Sequence, residues 1–471
     1  MTDRSSFLDG VYDFTLHNLR NLKARWRDFA GERSAMTLLS ESDADKLRRQ
    51  MQDCLEARGG EVSARARAAA LGQTYLALAE EGRARFLRLL ADEFDIDRVA
   101  VASACQRIAH VRTEDERRRI ERALRQALEA PRVKLLTQFN ALPNGVKFLV
   151  DMRAELMKLA RNDGSLTGLD QDMRALLAGW FDEGFLEVRR ITWDSPASLL
   201  EKLMVYEAVH EIRGWSDLKN RLEADRRCFA YFHPRMPEEP LIFVEVALVQ
   251  GMADNVQSLL DETAPVGDPQ SADTAIFYSI SNCQRGLSGI SFGDFLIKRV
   301  ADRLNRELPH LTRYATLSPM PGFRAWLEQR SVEEGNDLLT PVERKAIEAL
   351  PSAPSDHLLT NLLVRSNWYE DLAVAQALKA PMLRLAARYI INEKTPRGRA
   401  LDGVAHFHLS NGARLERINW LGDLSSKGLQ QSAGLMINYL YQLDEIEENH
   451  EAYTGEGRVT ASQPVLRLLK T

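Results

Sequence analysis

Near residue 182 the kinds of residue in this chain change, and that break limits the folds open to it more than any other feature. Before it, segments such as DADKLRRQMQDCLEAR, EEGRARFLRLLADEF and DERRRIERALRQALEA place Leu, Ile, Phe and Ala three and four apart between charges, the spacing of one buried helical face. Thr113 followed by Glu116 reads as a capping-box helix start. Only Pro131 and Pro143 of the 17 prolines fall here. Arg117, Arg118 and Arg119 share their segment with Glu and Asp residues, which reads as a solvated helix face rather than a phosphate patch. After Asp182 come FLEVRRITW, RRCFAYFHP, PLIFVEVALV, TAIFYSIS, RYATLSP and GVAHFHLSNGARLERINW, β-branched and aromatic runs bounded by Pro, Gly, Asn or Asp. These read as strands. SPASLLEKLMVYEAV and FGDFLIKRVADRLNREL read as helices between them, and residues 341–388 return to helical spacing as an insertion. The expectation is an α+β chain, with an all-helical domain over 1–180 and a mixed-sheet domain over 181–471.

Composition removes several classes of function. The 471 residues carry 62 Lys and Arg against 67 Asp and Glu, a net charge of −5, too little field to favour nucleic acid or an anionic membrane. The four cysteines, Cys54, Cys105, Cys228 and Cys283, form no C-x-x-C pair, so neither a disulfide framework nor a cysteine zinc site is encoded. The apolar run from Leu241 to Val249 is short and contains Glu245, far from the length of a membrane span. The opening residues MTDRSSFLDGVYDF lack the order of a secretory signal, and RLLKT is not a peroxisomal ending. A cytoplasmic address is expected.

Three places carry chemistry. Gly286, Gly289 and Gly293 lie between the TAIFYSIS strand and a helix expected from about Asp294. Backbone N–H groups there, with a helix N-terminus, suit a pyrophosphate; a flexible strand-to-helix turn is the plainer alternative. In GVAHFHLSNG, read as a strand, alternation sets Val404, His406 and His408 on one face. That pair is open to three roles: metal ligand, general acid or base, or structural histidines. Ser318 ends a strand just before Pro319, Pro321 and Gly322, either held in place by the stiff exit or simply initiating a turn. No G-x-S-x-G elbow supports a hydrolase triad.

The glycine loop resembles the pyrophosphate loop of the GNAT acetyltransferase fold, with a degenerate glycine pattern, which implies a coenzyme A thioester ligand. Together, SPMPGF, TAIFYSIS…RGLSGISFGDFLIKRV, ITWDSPASLLEKLMVYEAVHEI and VAHFHLSNGARLERINWLGDLSSKGLQQSAGLMINYLY resemble the malonyl-CoA decarboxylases, in shared order over most of the chain. The resemblance implies a GNAT-like catalytic domain that converts malonyl-CoA to acetyl-CoA and CO2 in fatty acid metabolism, without metal or other cofactor. It implies Ser318 as catalytic proton acceptor, His408 as proton donor, Tyr441 as support for the histidine and Lys202 as an essential lysine. The malonyl-CoA loop falls on Ser288, Gly289, Ile290, Ser291, Phe292, Gly293 and Asp294. At Ser291 the chain departs from relatives such as the animal enzymes, which carry glutamate. The helical half is expected to mediate homo-oligomer contacts, with no nucleic-acid or membrane partner. An acetyltransferase on the same fold, or a non-catalytic coenzyme A-binding protein, are the alternative functions.

Overall fold

The computed structural model of the chain describes residues 41–56, 60–181, 183–290, 296–365 and 367–470. They fall into two compact units, one of Met1–Leu186, His233–Pro240 and Gln284–Phe292, the other of Glu187–Phe232, Leu241–Cys283 and Gly293–Thr471.

The first unit is helical: α1 (Glu41–Leu55), α2 (Gly60–Ala77), α3 (Glu80–Glu93), α4 (Arg98–His110), α5 (Glu114–Ala127), α6 (Pro131–Phe139), α7 (Gly145–Ala160) and α8 (Thr167–Trp180). Local sequence starts these helices as expected. Thr113 accepts from the Glu116 N–H at the head of α5, and Asp97 accepts from Val99 and Ala100 at the head of α4. The core is aromatic. Tyr75 meets Phe86 and Phe148 edge-on at 5.0 and 5.8 Å, and Phe139 meets Phe148 at 5.3 Å. The Tyr75 hydroxyl emerges to donate to Glu155 at 2.7 Å.

The second unit is built on a sheet of β1 (Glu187–Ile191), β2 (Arg226–Phe232), β3 (Ile242–Val249), β4 (Thr274–Asn282), β5 (Arg313–Thr316), β6 (Ser318–Pro319), β7 (Arg414–Asn419) and β8 (Met436–Leu440). Their order is β1-β2-β3-β4-β5-β8-β6, with β7 also on β8. The first four strands are antiparallel; β4 then runs parallel to β5, and β8 antiparallel to its neighbours. This is the mixed sheet expected of a GNAT-like domain. The parallel step needs a crossover, supplied by α12 (Leu296–Glu307), whose Ile297, Val300 and Leu304 are buried. Before it come α9 (Ala197–Tyr206), α10 (Trp215–Asn220) and α11 (Val256–Leu259). Leu200 and Leu203 of α9 join Cys228, Ala230 and Phe243 in a core on the sheet.

Between β6 and β7 the chain inserts α13 (Phe323–Glu334), α14 (Pro341–Glu348), α15 (Leu358–Leu363), α16 (Leu372–Ile391) and α17 (Gly403–Ser410). The insertion expected over 341–388 is present but longer at both ends. One sequence reading is overturned: Val404 to Leu409 is helix, not strand, and β7 begins only at Arg414. Asp402 starts the helix, accepting from Val404 and Ala405 at 2.9 and 3.0 Å. Ala405, His408 and Leu409 are buried, a spacing of three and four that eight residues make hard to tell from alternation. Residues α18 (Ser426–Ser432), α19 (Ile446–Glu456) and α20 (Gln463–Leu468) complete the unit.

Candidate active site

Strand alternation sets the hydroxyls. Thr316 and Ser318, two residues apart where β5 passes into β6, share a face, as do Tyr439 and Tyr441 at the end of β8. The two strand segments are neighbours, since Ser318 pairs with Ile437 and Ala315 with Leu440. The last turn of α17 brings His408 onto this face. Ser318 Oγ lies 2.9 Å from His408 Nε2, and His408 Nδ1 lies 2.8 Å from the Tyr441 hydroxyl. Ser318 also donates to Thr316 Oγ1 at 2.9 Å, and Thr316 Oγ1 accepts from the Tyr439 N–H. The Tyr439 ring stacks on the imidazole with centroids 4.6 Å apart. Thr316, Ser318, His408, Tyr439 and Tyr441 are all buried.

The proton positions follow from counting donors. Burial raises the Tyr441 hydroxyl well above its usual range, so it stays protonated and donates to Nδ1. Burial also lowers the His408 imidazole to about 3, so it is neutral near pH 7. With Nδ1 accepting, the proton sits on Nε2. The single Ser318 proton goes to Thr316, so Ser318 Oγ is free to accept from Nε2–H. The result is one directed chain, Tyr441 to His408 to Ser318 to Thr316, with a movable proton at Nε2.

A buried carboxylate ties together the segments that carry Ser318 and His408. Asp402 caps α17 through one oxygen; the other accepts from the Tyr389 hydroxyl at 3.3 Å and the Gly322 N–H at 3.4 Å. Gly322 belongs to the segment that follows Ser318, and a Cβ there would lie 2.4 Å from the Tyr389 hydroxyl. That contact explains glycine after the prolines.

The structure therefore brings Ser318, His408 and Tyr441 together. His406 does not join them. Two residues apart on a helix, the histidines face different ways, and His406 Nδ1 lies 2.9 Å from the Tyr453 hydroxyl instead. A shared H-x-H metal pair is thereby removed. Among the described residues no group of three or more His, Cys, Asp or Glu could hold a metal ion. Lys202 sits half-buried on α9, and the hydrogen bonds of Ser318, His408 and Tyr441 do not include it. Ser288, Gly289 and Ile290 lie in the first unit; Ser291, Phe292, Gly293 and Asp294 lie outside the described residues. Sequence reasoning missed Thr316, Tyr439, Asp402 and Tyr389. Period-2 alternation from Ser318 and Tyr441 would have found the first two, and an Asp before a Gly-led apolar run is a helix-cap signal.

Comparison with known proteins decides the family. Residues 184–471 match the model of the malonyl-CoA decarboxylase C-terminal domain, and residues 94–181 match that of its N-terminal domain. The chain belongs to the malonyl-CoA decarboxylase family. It is 39% identical to the mitochondrial malonyl-CoA decarboxylase of Anser anser anser over 402 residues, 82% of this chain and 79% of that one. The mitochondrial malonyl-CoA decarboxylase of Rattus norvegicus is likewise 39% identical, over 84% of this chain and 83% of its own length. Two crystal structures of malonyl-CoA decarboxylase are also similar. That from Rhodopseudomonas palustris has a TM-score of 0.82 at 41% identity, covering 90% of this chain and 99% of that chain. That from Agrobacterium vitis has a TM-score of 0.79 at 42% identity, with the same coverage. Both parts of the decarboxylase family pattern, helical and mixed-sheet, are thus present in one chain.

Proposed function

We propose that the protein decarboxylates malonyl-CoA to acetyl-CoA and CO2, with Ser318, His408 and Tyr441 as its proton machinery. The observation that carries this reading is the directed hydrogen-bond chain that passes through His408 Nε2 to Ser318, in a member of the malonyl-CoA decarboxylase family. The bond from C2 to the carboxylate carbon breaks, CO2 leaves, and the electron pair becomes an enolate whose charge rests largely on the thioester oxygen. N–H donors near that oxygen lower the barrier. C2 of the enolate then takes the proton from His408 Nε2, and the net reaction consumes one proton from solvent. The enolate carbon is basic enough to take this proton from a neutral imidazole, and the Tyr441 hydroxyl on Nδ1 stabilises the imidazolate left behind until a solvent proton restores it. Ser318 holds the malonyl carboxylate or relays the proton; Lys202 serves as a further cationic donor to the substrate.

The thioester is itself the electron sink, so the proposed reaction uses no metal and no other cofactor. The experiment is purified protein with malonyl-CoA, excess chelator and nothing added. Formation of acetyl-CoA and CO2 in equal amounts is expected; malonyl-CoA left intact, or loss of turnover on chelation, contradicts the reading. A cytoplasmic, homo-oligomeric enzyme is the form we propose for it. Among the described residues no helix is long and apolar enough to cross a membrane.

A further inference from the structure

The ladder that joins β5 and β6 to β8 is broken at one rung, and side chains fill the gap. Ala315 stands opposite Leu440 and Ser318 opposite Ile437, a single register that sets Thr316 opposite Tyr439. The Tyr441 N–H donates to the Tyr314 carbonyl at 2.8 Å. Antiparallel bonding repeats every two residues, so the next rung calls for the Tyr439 N–H on the Thr316 carbonyl. Instead that N–H donates to Thr316 Oγ1 at 3.2 Å, and the Thr316 carbonyl accepts from Asn438 Nδ2 at 2.8 Å.

The Asn438 amide is held one way round. It is fully buried, and its Oδ1 accepts from Arg417 Nε at 3.0 Å and from Asn419 Nδ2 at 2.8 Å. Its NH2 group therefore faces the carbonyls of Thr316 and Ala253, the second at 3.0 Å. Arg417 Nη2 in turn donates to the carbonyls of Met252 and Ala253 at 2.8 and 2.9 Å, tying the arginine to the segment after β3. Because neighbours on a strand face opposite ways, this amide lies across β8 from the Tyr439 ring that stacks on His408.

The exchanged rung bears on the proton chain. With the Tyr439 N–H on one lone pair of Thr316 Oγ1, the threonine side chain is fixed and its other lone pair meets the Ser318 hydrogen at 2.9 Å. Ser318 Oγ then turns a lone pair toward His408 Nε2, 2.9 Å away, which lets Nε2 keep its hydrogen. A regular rung would leave the Thr316 hydroxyl free to rotate. A Ser318 hydrogen turned onto Nε2 would then force the imidazole proton to Nδ1, on the side away from Ser318.

We propose that Asn438 is a positioning residue for proton transfer: by drawing the Thr316 carbonyl out of the ladder it commits the Tyr439 N–H to Thr316 Oγ1, orients the Ser318 hydroxyl and so holds His408 in its Nε2–H form. The proposal rests on the decarboxylase reading for its reaction, but the imidazole tautomer is a property of the protein without substrate.

The test uses full-length Asn438→Asp, Thr316→Val and Thr316→Ser. Asn438→Asp keeps the acceptor for Arg417 and Asn419 but cannot donate to the Thr316 carbonyl; Thr316→Val keeps the shape and removes the hydroxyl. Each is assayed with malonyl-CoA and by nitrogen NMR of isotopically labelled histidine, the His408 signals being those lost in His408→Gln. Expected are an Nε2–H imidazole in the wild type and a move toward Nδ1–H in Asn438→Asp and Thr316→Val. Their kcat should fall about tenfold or more with KM nearly unchanged, and Thr316→Ser should restore both readings. An Nδ1–H imidazole in the wild type, or kcat and tautomer unmoved in Asn438→Asp, overturns the proposal. Unmoved readings in Thr316→Val do so even where Asn438→Asp does not fold, since the proposed route passes through that hydroxyl. Wild-type protein that shows the Nε2–H form, lost in Thr316→Val, but turns over no malonyl-CoA removes the decarboxylase reading and leaves the positioning role standing.

Discussion

At the scale of single residues, the candidate site buries Ser318, His408 and Tyr441 and pairs them with one another. His408, Ser318 and Tyr441 were legible from short motifs, because each sits in a segment that strongly resembles one family. Their order in a chain of donors was not, because it depends on Thr316 and on which way each proton points. Burying a neutral imidazole has a thermodynamic signature. The His408 pKa falls from the ordinary histidine value to about 3 in the folded protein, so between those values the unfolded chain binds the extra proton. Stability is therefore full above about pH 6.5 and is lost as pH falls toward 3, by about 1.4 kcal/mol per unit. Replacing His408 with Gln, which cannot titrate, is expected to flatten this part of the urea-unfolding profile between about pH 6 and about pH 4. An identical slope in wild type and variant would show that His408 is not buried neutral.

Elements were legible where they are long or strongly patterned. The strands around Phe229, Val244 and Phe277 and the helix carrying Val300 stood out because both faces of the sheet are covered and the helix has a clear apolar side. The short helix α17 did not, since Val404, Phe407 and two histidines in eight residues look equally like a strand. Its true start is marked by Asp402, which also bonds the Tyr389 hydroxyl and the Gly322 N–H. Asp402→Ala removes a cap and leaves buried donors unpaired, a cost of about 2 to 4 kcal/mol, and it frees α17 to shift relative to Ser318. A lower melting temperature is expected together with a kcat reduced about tenfold, and Asp402→Asn, which retains the cap, is expected to recover most of the stability. Unaltered melting and kcat in Asp402→Ala would show that the carboxylate does not tie these segments.

Across the whole molecule, the break near residue 182 correctly separated a helical region from a mixed-sheet one. It did not reveal that segments 233–240 and 284–290 return to the helical unit, because such long-range packing leaves no local pattern. Within that unit, α4 and α5 pack chiefly on each other, burying only Ala104 and Ile120 of their own length. Val99 and Leu128 beside them are 81% and 51% exposed. A hairpin with so little cover suits contact with a second copy of the chain. Light scattering at micromolar concentration is expected to report a multiple of the 53.3 kDa chain mass; a single-chain mass would count against a homo-oligomer. The claim on which everything else depends is that His408 delivers the proton after CO2 departs. Its most direct test is the turnover number of His408→Ala on malonyl-CoA at neutral pH. A fall of about 100-fold or more with little change in KM is predicted, whereas turnover within about threefold of wild type would contradict the account.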